Sequence, residues 1–166
     1  SRNLTYETNA NIAINAALAG SGTLTFRQSA ASSAVTMGLA GAAGTVNIDA
    51  TELGRITDGW NLLVFGRNDT AAGGTLAVNA YTWNDNLKLV AGLGPLTIAG
   101  AQNAQANNFT VSANSNVVVS AALTGTGNLA FEGALAATTI GLAGGAGTLG
   151  LTAVELNLIT DGWASQ

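Results

Sequence analysis

Nine carboxylates are the side chains best equipped for chemistry in this chain: Glu7, Asp49, Glu52, Asp58, Asp69, Asp85, Glu132, Glu155 and Asp161. Two carboxylates at a fixed separation can divide the acid and base roles in breaking a glycosidic bond. One pairing recurs at the same spacing, Glu52 with Asp58 and Glu155 with Asp161. Recurrence in two copies of a sequence points first to scaffold, because copies share what builds them. A glutamate in the first turn of a helix meets the helix dipole, and Asp-Gly makes the turn that follows. No catalytic residue is assigned, and an enzyme is not expected. Asn68-Asp69-Thr70 and Asn84-Asp85-Asn86 carry oxygen ligands of the kind calcium takes. Neither follows the spacing of an EF-hand or of a calcium-loaded β-roll, so both are read as polar turns, and neither metal nor cofactor is expected. Among the tryptophans, Trp60 and Trp163 hold equivalent repeat positions and are read as covers over the end of a short helical turn. Tyr81 and Trp83 lie two residues apart, on one face of a strand. They are the candidates for an exposed aromatic pair that could stack on a sugar.

The rest of the composition removes whole classes of function. The chain has 166 residues with no histidine and no cysteine, which leaves out the usual general base near neutral pH, thiol chemistry and the usual zinc and haem ligands. Five Lys and Arg against nine Asp and Glu give a net charge of −4. That balance lacks the clustered cations that nucleic acid requires. Missing cysteine is compatible with secretion. No apolar run is long enough to cross a membrane, and Ser1-Arg2-Asn3-Leu4 does not open a signal peptide. Membrane insertion is not expected, and the element that exports the parent protein is expected to lie outside this chain.

The elements that must position these residues are short and alternate apolar with small or polar side chains. Examples are Asn11-Ile12-Ala13-Ile14-Asn15, Gly22-Thr23-Leu24-Thr25-Phe26, Gly44-Thr45-Val46-Asn47-Ile48, Gly74-Thr75-Leu76-Ala77-Val78, Asn86-Leu87-Lys88-Leu89-Val90, Pro95-Leu96-Thr97-Ile98-Ala99 and Asn108-Phe109-Thr110-Val111-Ser112. A period of two predicts strands. Two stretches depart from it, residues 50–60 and 153–163. Each has apolar residues at i and i+3 and closes on Asp-Gly-Trp, which predicts a single helical turn.

These stretches belong to an internal repeat. Residues 11–26 return as 116–131 at an offset of 105, and residues 37–60 return as 140–163 at an offset of 103. The two-residue difference falls in the polar segment Ser29 to Ser33, which marks a surface loop there. We divide the chain into copy one, residues 3–107, and a truncated copy two, residues 108–166, of a unit of about 104 residues, with the whole forming one segment. A chain cut partway through a repeat suits neither a closed barrel nor a sandwich, which need a set strand count to hide their edges. A β-solenoid accepts any number of turns and uses the abundant alanine and glycine in a narrow interior with tight corners. The expectation is therefore all-β, a β-solenoid of about five to seven turns spanning roughly 25 to 35 Å. Asparagine and threonine would form hydrogen-bonded stacks at its strand ends.

One block is more specific. Ile56-Thr57-Asp58-Gly59-Trp60-Asn61-Leu62-Leu63-Val64-Phe65-Gly66-Arg67, with Gly74-Thr75-Leu76-Ala77-Val78 after it, resembles a repeat of large bacterial exoproteins of the filamentous-haemagglutinin type. The Asn-Ala-Ala-Leu-Ala-Gly-Ser-Gly stretch at residues 15–22 is similar to the same proteins. The resemblance implies a right-handed parallel β-helix at the bacterial surface or secreted, exported through an outer-membrane partner or as an autotransporter passenger. It would work as an adhesin, a stalk or a fibre of extracellular or biofilm matrix. The motif positions here are Glu52, Asp58, Gly59, Trp60, Gly66 and Arg67, with Glu155, Asp161, Gly162 and Trp163 in copy two. The expected partners are neighbouring repeats or further copies stacked end to end, with a glycan or cell-surface ligand as a second possibility. The alternative function is a carbohydrate-binding or carbohydrate-active domain on the same scaffold, which convergence of Tyr81, Trp83 and two carboxylates in one groove would favour.

Overall fold

The computed structural model describes residues 2–29, 35–67 and 74–165; the turn at Asn68-Asp69-Thr70 and most of the loop after Ser29 lie outside them. In chain order the strands are β1 (Leu4–Glu7), β2 (Thr23–Arg27), β3 (Met37–Leu39) and β4 (Val46–Ile48), followed by the helical turn α1 (Ala50–Leu53). Next come β5 (Leu62–Arg67), β6 (Leu76–Val78), β7 (Tyr81–Thr82), β8 (Leu87–Ala91), β9 (Leu96–Ile98) and β10 (Gln102–Asn103). The chain closes with β11 (Phe109–Ala113), β12 (Val117–Val119), β13 (Leu123–Thr124), β14 (Leu129–Gly133), β15 (Ile140–Leu142), β16 (Leu149–Leu151) and α2 (Ala153–Leu156).

These strands pair in parallel and collect into stacked sheets ordered β1-β2-β5-β8-β11-β14, β12-β9-β6-β3-β4, β13-β10-β7 and β15-β16. The pairing is in register: Leu4, Leu24, Leu63, Leu87, Phe109 and Leu129 form one row, and Tyr6, Phe26, Phe65, Leu89, Val111 and Phe131 the row beside it. Alternation in sequence thus becomes columns in space, since a strand places every second side chain on one face. The inward rows are dry: Leu24, Phe26, Leu63, Phe65, Leu87, Leu89, Phe109 and Val111 are all buried. Stacked rings continue the second row, with centroids 5.2 Å apart for Tyr6–Phe26 and 5.6 Å for Phe26–Phe65. Each such pair adds about 0.5–1.5 kcal/mol beyond burial.

Polar rows run at the strand ends, as the composition suggested. Asn108 N donates to Asn86 Oδ1 at 2.8 Å, Asn128 N to Asn108 Oδ1 at 3.0 Å, and Ser165 Oγ to Asn128 Oδ1 at 2.7 Å. Asn86 and Asn108 thus each accept a backbone N–H of the following layer, satisfying a donor that the corner would otherwise leave unpaired, and Asn128 accepts a hydroxyl.

Two local outcomes differ from the sequence reading. Asn11-Ile12-Ala13-Ile14-Asn15 lies in no strand, whereas its counterpart Val117–Val119 is β12 and pairs with β9. The difference lies in the neighbours: β12 has β9 beside it, whereas no strand pairs with Ile12–Ile14 among the described residues; the bond to a helical-turn glutamate is common to both, Ile14 N donating to Glu52 Oε1 at 3.2 Å and Val119 N to Glu155 Oε1 at 3.0 Å. The single helical turn expected in each copy is present, but it closes well before the Asp-Gly-Trp motif. α1 ends at Leu53, after which Ile56 bridges to Leu18 before the chain reaches Asp58 and Gly59. The structure adds a tight parallel return in each copy, where β3 pairs with β4 (Met37 beside Val46) and β15 with β16 (Ile140 beside Leu149).

Candidate functional site

The repeated motif residues join one layer to the next. α1 begins at Asp49, whose carboxylate accepts from Glu52 N at 2.8 Å while Glu52 Oε2 accepts from Asp49 N at 2.9 Å. This reciprocal cap leaves Glu52 Oε1 free to take Ile14 N of the preceding layer. In α2 the arrangement returns with Thr152 as cap: Glu155 Oε2 accepts from Thr152 N at 2.8 Å and Glu155 Oε1 from Val119 N at 3.0 Å. Burial works against ionisation of Glu155, but the hydrogen bonds from Thr152 and Val119 outweigh it and hold the carboxyl below its ordinary range. A glutamate at the third helical position thus caps a helix and substitutes for a strand partner at once.

Gly59 and Gly162 turn the chain at φ +119° and +123°, a region open to glycine. Trp60 and Trp163 then fold onto Gly20 and Gly125. A Cβ at Gly20 would lie 2.1 Å from the Trp60 ring, and one at Gly125 2.6 Å from Trp163. Trp60 Nε1 donates to Leu18 O at 3.2 Å, while Trp163 Nε1 has no acceptor among the described residues. Asp58 and Asp161 are both exposed. Gly59 N donates to Asp85 Oδ1 at 2.9 Å, which ties the Asp-Gly turn to the strand-leading segment of the next layer. Asp85 is buried, and that burial raises its carboxyl above the ordinary range, reinforced by the nearby Asp58 charge and opposed by the amides of Gly59 and Trp60.

Gly66 and Arg67 close the block. Gly66 has φ +95°, and a Cβ there would lie 1.9 Å from Val90 O. Arg67 donates to Gln28 O at 2.7 Å and sits 3.6 Å from Glu7, which pairs with Arg27 at 2.7 Å. Asp69, the acidic neighbour considered for Arg67, lies outside the described residues. Lys88 pairs with Glu132 at 2.6 Å, and this contact draws the Glu132 carboxyl down.

Tyr81 and Trp83 share a strand face, with ring centroids 4.7 Å apart, but that face turns inward. Trp83 is 1% exposed, packs against Phe65 and donates from Nε1 to Gln102 Oε1 at 2.9 Å. Tyr81 is half-buried. The exposed aromatic pair expected from sequence is therefore corrected: an inward Trp finds its acceptor on a buried glutamine, a pairing that spacing along one strand does not reveal. Glu52 and Glu155 are committed to backbone amides, and neither converges with Tyr81 and Trp83 on a groove. Among the described residues no group of three or more acidic side chains could hold a metal ion.

The exposed large apolar side chains among the described residues are Tyr6 on β1, Leu93 between β8 and β9, Ile140 and Leu142 on β15, and Val154 on α2. A concavity of about 430 Å³ beyond the last strands is lined by Leu129, Phe131, Ile140, Leu142, Leu156 and Ile159 among others. One of about 240 Å³ at the first turn is lined by Tyr6, Ile12, Ile14, Leu18 and Phe26 among others. Comparison with protein-family models, with curated proteins and with solved structures finds no match.

Proposed function

We propose that this chain is a segment of a right-handed β-solenoid in a bacterial exoprotein, secreted or held at the cell surface, where it serves as a stiff adhesive or matrix-forming rod. The observation that carries the reading is the continuity of the in-register rows. Leu4, Leu24, Leu63, Leu87, Phe109 and Leu129 align through both copies of the repeat without a break. Rows of backbone hydrogen bonds and dry side chains resist bending and proteolysis, and each layer depends only on its neighbours. Opposite charges face each other across layers, as Glu7 does Arg27, so stacking is not opposed by charge. The surface location rests on the resemblance of the Asp58-Gly59-Trp60 to Gly66-Arg67 block. A carbohydrate-directed role has less support, because Trp83 is buried and the space that Tyr81 and Trp83 share with Asp85 is only about 10 Å³.

The two halves of the proposal are tested separately. Small-angle scattering should fit stacked layers about 30 Å tall, from six strands at about 4.8 Å; an envelope that such a stack cannot fit overturns the solenoid. Inert beads coated with the chain should stay attached to glass or cell monolayers under flow. Release at the same shear as beads coated with an unrelated β-sandwich overturns adhesion.

A further inference from the structure

Aspartate followed by glycine is the pairing most prone to rearrange in water, because glycine carries no Cβ to hinder attack by its own nitrogen. At Asp58-Gly59 the nitrogen of Gly59 would add to Asp58 Cγ, the amide proton and the carboxyl hydroxyl would leave as water, and a five-membered succinimide would close. Water then reopens the ring at either carbonyl. One opening regenerates aspartate, and the other leaves isoaspartate, in which the main chain runs through the former side chain and is one methylene longer. Asp58 is exposed to water, and Gly59 turns at φ +119°. The extra methylene would fall two residues before Trp60, whose ring lies so close to Gly20 that a Cβ there would be 2.1 Å away. Isomerisation at this turn would therefore break a link between layers.

The attacking nitrogen is held by a residue of the next layer. Asp85, 5% exposed and placed between β7 and β8, accepts Gly59 N at 2.9 Å across 26 residues of sequence. The same carboxyl also bonds the amide of Trp60 and interacts with Asp58, the group that would be attacked. The space beside it is only about 10 Å³, walled by Leu53, Ile56, Leu63 and Trp83 among others, so Asp85 has little room to swing away. To attack, Gly59 N must give up its proton and turn its plane toward Asp58 Cγ. A hydrogen bond to a fixed acceptor holds both the proton and the plane. We propose that Asp85 is a guard residue, which by holding Gly59 N–H keeps the Asp58-Gly59 peptide from closing to a succinimide and isomerising. The reaction must then wait for the joint between layers to open. This inference is independent of any role as an adhesive rod and concerns how long the stacked form persists.

The test follows isoaspartate at residue 58 during long incubation in mildly acidic buffer below the unfolding temperature. Trypsin releases the fragment Ile56–Arg67, whose one acidic residue is Asp58, and isoaspartate in it is read by chromatography and by enzymatic methylation. A synthetic peptide of residues 56–67 gives the unguarded rate, which should exceed that of the folded chain by about tenfold or more. Asp85→Ala should raise the folded rate by about tenfold, the change in local opening expected on losing a hydrogen bond to a charged group. Asp85→Asn retains an oxygen for Gly59 N and should stay near the unmodified rate. Where Asp85→Ala loses its β-sheet circular dichroism, Asp85→Leu, apolar and close to aspartate in shape, replaces it. A folded chain that isomerises as fast as the peptide, an Asp85→Ala or Asp85→Leu variant no faster than the unmodified chain, or an Asp85→Asn variant as fast as Asp85→Ala overturns the proposal.

Discussion

Asp85 is a buried carboxylate whose proton equilibrium is set by burial, by Asp58 and by the amide of Gly59. Its carboxyl titrates above the ordinary value, so its contribution to stability is complete below the unfolded-state value of about 3.9 and is lost as pH rises through the folded one. Asp85→Asn keeps an oxygen for Gly59 N and removes the charge. The variant should be the more stable form at pH 7, with the advantage vanishing near pH 3; urea midpoints at the two pH values give the answer, and equal differences at both would contradict this account. Gly20 and Gly125 make the other residue-scale case. A methyl group at either position meets an indole held beneath its own layer, so Gly20→Ala should destabilise by about 1–3 kcal/mol, measured by thermal unfolding. At this scale the sequence marks which positions matter, since both Asp-Gly-Trp motifs recur. It does not reveal that Trp60 lies over Gly20 or that Trp83 turns inward to Gln102, because both contacts depend on registers between segments 19 or more residues apart.

The helical turns show how few residues an element needs when its ends are tied elsewhere. Four residues cannot hold a helix by propensity alone, since nucleation is unfavourable in short segments. α2 persists because Glu155 caps it and accepts Val119 N from the preceding layer. Glu155→Ala leaves both amides without that acceptor and should lower stability by about 1–3 kcal/mol at pH 7. The Glu155 carboxyl titrates below its ordinary value, so the stability it supplies is present above about pH 4.3 and disappears as pH falls through the folded value. The deficit of the variant should therefore shrink in acid, opposite in direction to Asp85, and a deficit constant from pH 7 to pH 2 would rule the carboxylate out as its source. Elements were largely legible from alternation: Thr23–Arg27, Val46–Ile48, Leu76–Val78, Leu87–Ala91, Leu96–Ile98 and Phe109–Ala113 all fall in segments with period two. The strand expected at Ile12–Ile14 was lost because a strand is defined by its partner. The parallel pairing of β3 with β4 was not foreseen, because nothing in the local pattern distinguishes a return within one layer from passage to the next.

At the scale of the whole molecule, stability should follow neighbouring layers and not a single central nucleus. Amide exchange should be slowest in β5, β8 and β11, which are flanked on both sides, and faster in β1 and β14; uniform protection would argue for one indivisible unit. The paired strands β3 and β4 have a consequence for shape. Both occupy the row of short strands within a level where the row of long strands holds β2 alone, and copy two repeats the arrangement with β15 and β16. Each repeat therefore adds about 4.8 Å more on one flank than on the other. In an array of many such units the surplus accumulates, and the rod should be an arc with its short strands on the outer rim, its radius written into the chain by a return loop that occurs once per repeat.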